Sequence, residues 1–252
     1  MPPGKPPRAP LTHFLCLPLV TSESRPQLRA SLQQFSADIL TPRSDRQYAI
    51  PEKAIRPLDT LHLTIGVMSL QEPEKLDRAQ KHLESIDLRS LLRTASVTAL
   101  ERDAPPLQVP TDTAPLTISL KSVVTMHPPT SASVLHSIPV DTTNRLGPFC
   151  QLLRDSFQRE GLIEDEGRPL LLHATVLNTT YASGRAGRRD SAKGKITFDA
   201  SEIISRYEGF MFVKDMRVEN VAICRMGARK IVDEETGCAT EKYEVVQEVS
   251  LP

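Results

Sequence analysis

The sequence predicts a fold of mixed helices and strands in two halves, each organised around one histidine-bearing strand. Three observations carry this. Apolar, β-branched runs alternate along the chain with segments of helical periodicity. Two of those runs, LDTLHLTIGVMSL (58–70) and LLLHATVLN (170–178), contain the same tetrad, His-x-Thr-(Ile/Val). Each follows a segment that reads as a helix, 21–40 in the first half and 144–160 in the second.

Strand side chains alternate faces with period two. In the first run Leu61, Leu63, Ile65 and Val67 therefore form an apolar face. His62 and Thr64 share the other, with Gly66 beyond them and nothing bulky on that side. In the second run His173 and Thr175 share a face, and Leu172, Ala174 and Val176 take the opposite one. A single such tetrad is expected by accident on the order of 0.05 times at this composition, and two copies well below ~0.01 times. One copy alone reads equally well as a histidine satisfied in the core. Two copies in separate halves point to a shared site.

The remaining elements follow in chain order. Residues 12–20 are a first strand. The helix over 21–40 has Ser22 or Ser24 to cap it, Pro26 in its first turn, and an apolar stripe of Leu28, Leu32, Phe35 and Ile39. Residues 41–59 read as irregular. A second helix spans 73–92 with Leu76, Ala79, Leu83 and Ile86 inward, and a strand spans 94–100, so the first half reads β-α-β-α-β. The Pro- and Thr-rich stretch 104–115 is a loop. Strands at 116–124 and 133–140 are joined by a turn at His127-Pro128-Pro129. The helix over 144–160 buries Leu146, Phe149, Cys150, Leu153 and Phe157, with Gly161 as its C-cap. After the second histidine strand come a short extended piece at 195–198, a helical turn at 201–206 and a strand at 216–225. A hairpin of 229–232 with 242–249 is built around Glu234-Glu235-Thr236-Gly237.

Composition bounds the function. A chain of 252 residues buries about 70–75% of its unfolded surface and needs no staple. Thirty-one basic residues balance 31 acidic ones, so no global field draws in nucleic acid or membrane, and such a contact must come from a local patch. No run reaches the length of a transmembrane helix, and MPPGKPPRAP (1–10) lacks the apolar core of a secretory signal. It reads as a disordered tail ahead of one domain over 11–252. Cys16, Cys150, Cys224 and Cys238 have no zinc spacing and read as reduced thiols, which suits the cytoplasm or nucleus. No Asp or Glu flanks either tetrad, so neither a metal nor another cofactor is expected.

One segment differs from its surroundings. TYASGRAGRRDSAKGK (180–195) carries Arg185, Arg188 and Arg189 with two lysines against one aspartate, and it leaves the second histidine strand directly. It reads as a solvated loop or as a stretch that steers phosphate. Tyr181 either stacks on a base or covers the core. His13, His82, His127 and His136 lack a matching motif and read as structural or surface residues.

Two imidazoles and two hydroxyls in one pocket suit phosphodiester cleavage. One neutral imidazole takes a proton from water or a 2′-hydroxyl, and a charged one gives a proton to the leaving oxygen. Threonine hydroxyls donate to the non-bridging oxygens where charge develops. The paired tetrads resemble those of the two-histidine (2H) phosphoesterase superfamily. The likeness is nearer to the domain shared by activating signal cointegrator 1 complex subunit 1 and the protein kinase A anchoring protein with a nuclear-localisation-signal domain. It is carried by Leu11-Thr12-His13-Phe14, Leu61 to Gly66, Asn144-Arg145-Leu146, Gly161-Leu162-Ile163 and Leu172 to Thr179. The resemblance implies a bilobed α+β fold, two antiparallel or mixed sheets flanking a cleft with helices outside. It makes His62 and His173 the acid/base pair and Thr64 and Thr175 the phosphate binders, and it implies an RNA or nucleotide phosphate ligand. Two functions follow. One is a phosphoesterase acting on RNA ends, cyclic nucleotides or 2′-5′ phosphodiesters. The other is a non-catalytic nucleotide- or RNA-binding module of a transcription-coactivator or repair complex. A monomer without membrane contact is expected for either.

Overall fold

The computed structural model describes residues 9–41, 50–100, 106–107, 114–164, 167–182, 196–232 and 239–252. β1 (His13–Pro18) leads through α1 (Arg25–Leu40) and two 3₁₀ turns, Glu52–Ala54 and Leu58–Thr60, into β2 (His62–Met68). Leu28, Leu32, Phe35 and Ile39 are buried along one face of α1, as their spacing requires. Ser24 makes no side-chain cap; its hydroxyl donates to the Leu19 carbonyl at 2.7 Å and holds the turn into the helix.

The next segment departs from expectation. The helix expected over 73–92 is two helices, α2 (Pro73–Ser85) and α3 (Leu88–Leu100), parted where Ile86 turns extended. The strand expected over 94–100 is the C-terminal half of α3. Leu88, Leu92, Ala95, Ser96 and Ala99 are buried, a helical period, while the β-branched Val97 is 57% exposed. Thr94 and Thr98 turn their hydroxyls back onto the helix, donating to the carbonyls of Ser90 and Thr94 four residues back. Asp87 accepts from the Ser90 N–H and opens the helix. The first half is thus β-α-β-α-α.

In the second half β3 (Thr117–Val124), β4 (Val134–Val140), α4 (Leu146–Arg159) and β5 (Ala174–Asn178) follow the expected order. β5 is shorter than its apolar run, so His173 stands immediately before it. Gly161, at φ +66°, ends α4 in the left-handed conformation. After α5 (Ser201–Arg206), the strand expected at 216–225 is two: β6 (Met211–Arg217) and β7 (Asn220–Arg225). β8 (Arg229–Val232) pairs with β9 (Ala239–Lys242), whereas β10 (Val245–Ser250) pairs with β7, which corrects the expected hairpin partner. The turn residues 234–237 and Cys238 lie outside the described residues, as does most of the expected loop at 104–115.

The strands make two four-stranded antiparallel sheets, ordered β10-β7-β1-β2 and β5-β4-β3-β6, beside the β8-β9 hairpin. The architecture is α+β, and the halves repeat a β-α-β unit, β1-α1-β2 and β4-α4-β5. Each helix of the repeat packs on the other half. α1 lies against β6, where the Ser31 hydroxyl donates to the Phe212 carbonyl at 2.7 Å. The Phe35 ring meets Tyr207 and Phe212 edge-on, with centroids 5.1 and 5.7 Å apart. α4 lies against α3 and β2. One cluster of buried side chains therefore joins Leu15, Leu63 and Ile65 of the first sheet to Leu120, Val176 and Phe212 of the second. Among the described residues no helix is long and apolar enough to cross a membrane.

A core shared in this way should unfold as a unit. Phe35→Ala should cost about 3–5 kcal/mol and keep a single denaturant transition seen alike by circular dichroism and tyrosine fluorescence. Two separate transitions would mean that the halves are independent.

Candidate active site

The motif strands β2 and β5 are each an edge strand of their sheet, and they approach one another. Two backbone links join the segment that precedes β2 to β5: the Arg56 N–H donates to the Val176 carbonyl at 2.9 Å, and Ile55 bridges Leu177. Along β2 the burial alternates as expected from Leu61 to Ile65, with His62 and Thr64 half-buried on the cleft side. A bulge then changes the phase. Leu15 pairs with Gly66 and Cys16 with Thr64, so Ile65 is the extra residue. Met68 consequently enters the core, and Val67, expected there, packs on the cleft side against Phe14 and Cys16. The Gly66 side is not open either. A Cβ at Gly66 would lie 2.4 Å from Cδ1 of Ile163, so glycine is what lets the turn after α4 close on β2.

Both motif imidazoles are held the same way. Nδ1 of His62 lies 2.7 Å from the Thr60 carbonyl oxygen, and Nδ1 of His173 lies 2.9 Å from that of Leu171. A carbonyl only accepts, so Nδ1 carries the hydrogen and donates in each ring. Nε2 is left as the atom that gains and loses a proton. The His62 ring lies 4.7 Å from that of Phe14, tilted by 32°, and meets Tyr243 edge-on at 5.3 Å. Burial pushes its pKa down to about 4; the positive charges of Arg56 and His173 push the same way, and the Thr60 carbonyl opposes them.

Two adjoining cavities share these residues. One of about 550 Å³ is lined by His62, Thr64 and Thr175, with Arg56, Tyr181 and Tyr243. The other, of about 970 Å³, is lined by Thr64 and His173, with apolar walls and the cations Lys75, Arg78, Arg154 and Arg168. Thr64 stands in both. The four motif residues thus converge on one cleft, a histidine facing each cavity.

Three further residues join the site. His136 on β4 lies opposite Thr175 in the ladder, and its ring meets His173 edge-on at 5.1 Å. Its burial agrees with a structural role, and the ring contact sets it directly behind His173. Burial pushes its pKa down to about 4, and its Nδ1 has no partner among the described residues. Arg56 and Tyr243 are the others; neither belongs to a motif, and Tyr243 comes from the far end of the chain. Tyr181 stands at the cavity rim, 51% exposed, with one ring face under the Arg56 guanidinium at 4.0 Å. Arg185, Arg188 and Arg189 lie outside the described residues. His82 bonds to Ser156, His13 lies beside the Thr12 hydroxyl, and His127 is exposed. Among the described residues no three of His, Cys, Asp and Glu are placed to hold a metal ion. Cys16, Cys150 and Cys224 are buried free thiols.

His62 and His136 both have folded-state pKa values of about 4 against an ordinary 6.5. Between those values the unfolded chain binds more protons, so stability falls as pH drops from about 6.5 to about 4. Thermal midpoints measured across that window should fall, and His136→Asn should flatten the slope. A midpoint unchanged down to pH 4 would contradict the burial of both rings.

Two sheets that each present a His-x-Thr strand at the edge of a common cleft define the 2H phosphoesterase class. The chain belongs to the AKAP7 2′5′ RNA ligase-like domain family, whose model matches residues 11–251. It is 24% identical over 215 residues to activating signal cointegrator 1 complex subunit 1 of Mus musculus, a match covering 81% of this chain and 55% of that protein. It is 29% identical over 100 residues to an uncharacterised protein of Schizosaccharomyces pombe, covering 40% and 43%. The chain thus spans about half the length of these relatives. Among solved structures it is similar to Escherichia coli LigT complexed with 3′-AMP, at TM-score 0.46 and 16% identity over 96% of this chain and 98% of that one. It is also similar to a protein of Thermus thermophilus, TT0787, at TM-score 0.43 and 14% identity over 95% and 97%.

Proposed function

We propose that this chain is a metal-independent phosphodiesterase acting on RNA ends, cyclic nucleotide phosphates or 2′-5′ linkages. The observation that carries the reading is the matched pair of imidazole–carbonyl bonds. They leave two Nε2 atoms free to titrate beside two threonine hydroxyls in one cleft. His62, kept neutral by burial and by Arg56, is the base. It takes the proton of a water or a 2′-hydroxyl as that oxygen attacks phosphorus. His173 gives its proton to the oxygen whose bond to phosphorus breaks, so the step ends with His62 charged and His173 neutral. Thr64 and Thr175 donate to the non-bridging oxygens. The leaving group departs on the His173 side, into the larger cavity. Because two side chains move both protons, no metal is needed.

The family match supports a nucleotide or RNA phosphate as ligand. In this reading Tyr181, half-exposed at the rim, stacks on a base. Arg185, Arg188 and Arg189 steer the phosphate chain. A nuclear or cytoplasmic place of action, as a monomer within a single domain over 11–252, belongs to the same reading. The likeness to a cointegrator subunit supports a second one, a binding module of a coactivator or repair complex that turns nothing over.

The test is a panel of 2′,3′-cyclic nucleotides and short 2′-5′ and 3′-5′ oligonucleotides, with products read by mass spectrometry. Turnover should survive EDTA and fall about 10²–10⁴-fold in each of His62→Ala and His173→Ala, with fold and ligand binding retained. The double variant should lose little more than the worse single one. Activity should decline as pH drops towards 4, where His62 takes up its proton and can no longer act as the base. Binding without turnover of any phosphodiester would establish the module instead. Replacing the three arginines with alanine should weaken RNA binding and flatten its salt dependence; an unchanged salt slope would return that stretch to a solvated loop.

A further inference from the structure

Arg56 is buried, at 6% exposure, in the wall of the smaller cavity. Its guanidinium lies 4.0 Å over the centre of the Tyr181 ring, and one terminal nitrogen donates to the Tyr243 hydroxyl at 3.0 Å. Among the described residues no carboxylate pairs with it, and Glu241, which lines the same cavity, makes no ion pair with it. A guanidinium has five N–H donors, and the Tyr243 hydroxyl takes one. A cation removed from water without a counter-ion is costly, and that cost is recovered when an anion arrives.

Its position is fixed from both sides of the cleft. The Arg56 N–H is bonded to the Val176 carbonyl, next to Thr175, and its neighbour Ile55 bridges Leu177. Six residues on, the same segment delivers His62. Tyr181 covers the flat face of the fork, which leaves the N–H edge for a ligand. Arg56 is also the one permanent cation among the described residues that line this cavity with His62, Thr64 and Thr175. Its charge adds to the burial that lowers the basicity of His62.

We infer that Arg56 is a further phosphate-contacting residue, taking a non-bridging oxygen of the phosphate that Thr64 and Thr175 hold. The inference rests on the phosphate site of the proposed function, not on turnover. The threonine hydroxyls are neutral, and a phosphodiester gains negative charge as it is attacked. A fixed guanidinium on the His62 side supplies the charge that hydroxyls lack, in the planar geometry suited to two phosphate oxygens.

The test compares adenosine 3′-monophosphate with adenosine by calorimetry on the full chain. The wild type should bind the monophosphate more tightly, and Arg56→Gln should lose about tenfold to a hundredfold of that preference while binding adenosine unchanged. Arg56→Lys, which keeps the charge and the stem, should retain part of it. Should Arg56→Gln fail to fold, the wild type still answers. Its Arg56 Nε–H resonance, assigned by its absence from Arg56→Lys, should shift on adding the monophosphate and not on adding adenosine. A folded Arg56→Gln with full preference, an equal loss of adenosine binding, or an unmoved Nε–H resonance would each overturn the inference. If the wild type shows no preference for the phosphate, the proposed phosphate site falls as well.

Discussion

The exchange of helices between the halves is the constraint on which the site depends. α1 packs on β6 of the second sheet and α4 on β2 of the first, so neither sheet closes its core without the other. The price of an edge strand is a row of unpaired backbone groups. Here two edges are set facing each other, and the links from Ile55 and Arg56 to β5 use part of that row. Each motif contributes its histidine and threonine by strand alternation alone, but their convergence is a tertiary effect. Gly66 shows how close the fit is, since it admits Ile163 where any side chain would intrude.

Within that frame the electrostatics are asymmetric although the motifs match. Both imidazoles donate Nδ1 to a carbonyl two residues back. His62 is then wedged between Phe14 and Tyr243 and faces Arg56, and burial leads the forces that keep it neutral. His173 has an imidazole neighbour instead, His136, which burial also keeps neutral. Two equal motifs in unequal surroundings are what an acid and a base require, because equal residues in equal surroundings would carry the same proton occupancy.

Much of this was open to reading in the chain itself. The period-two pattern in 58–70 and 170–178 places His62, Thr64, His173 and Thr175 on cleft-facing positions, and the 3.6-residue stripe in 21–40 gives α1 its buried face. Local signals failed where two tendencies compete. Residues 94–100 look like a strand because Thr94, Val97 and Thr98 are β-branched, yet Ala95, Ser96 and Ala99 are small enough for α3 to lie close on α4. The apolar run 216–225 conceals a change of sheet because Val218, at the change, is itself buried. The bulge at Ile65 is invisible to alternation because it shows only in the pairing with β1. Arg56, His136 and Tyr243 carry no motif; they join the site through sheet order and a bridge between sheets, which no local pattern encodes.

The central claim is that His62 and His173 share one tautomer, that burial holds His62 neutral, and that the two rings sense one another across a single cleft. Nitrogen-15 NMR of the imidazoles, followed through a pH titration, tests this most directly. The account predicts Nδ1–H tautomers for both neutral rings, a His62 that stays neutral down to about pH 4, and a His62 titration that moves up in His173→Gln, where the neighbouring charge is gone. An Nε2–H tautomer at either ring, or a His62 titration near 6.5 indifferent to residue 173, would contradict it.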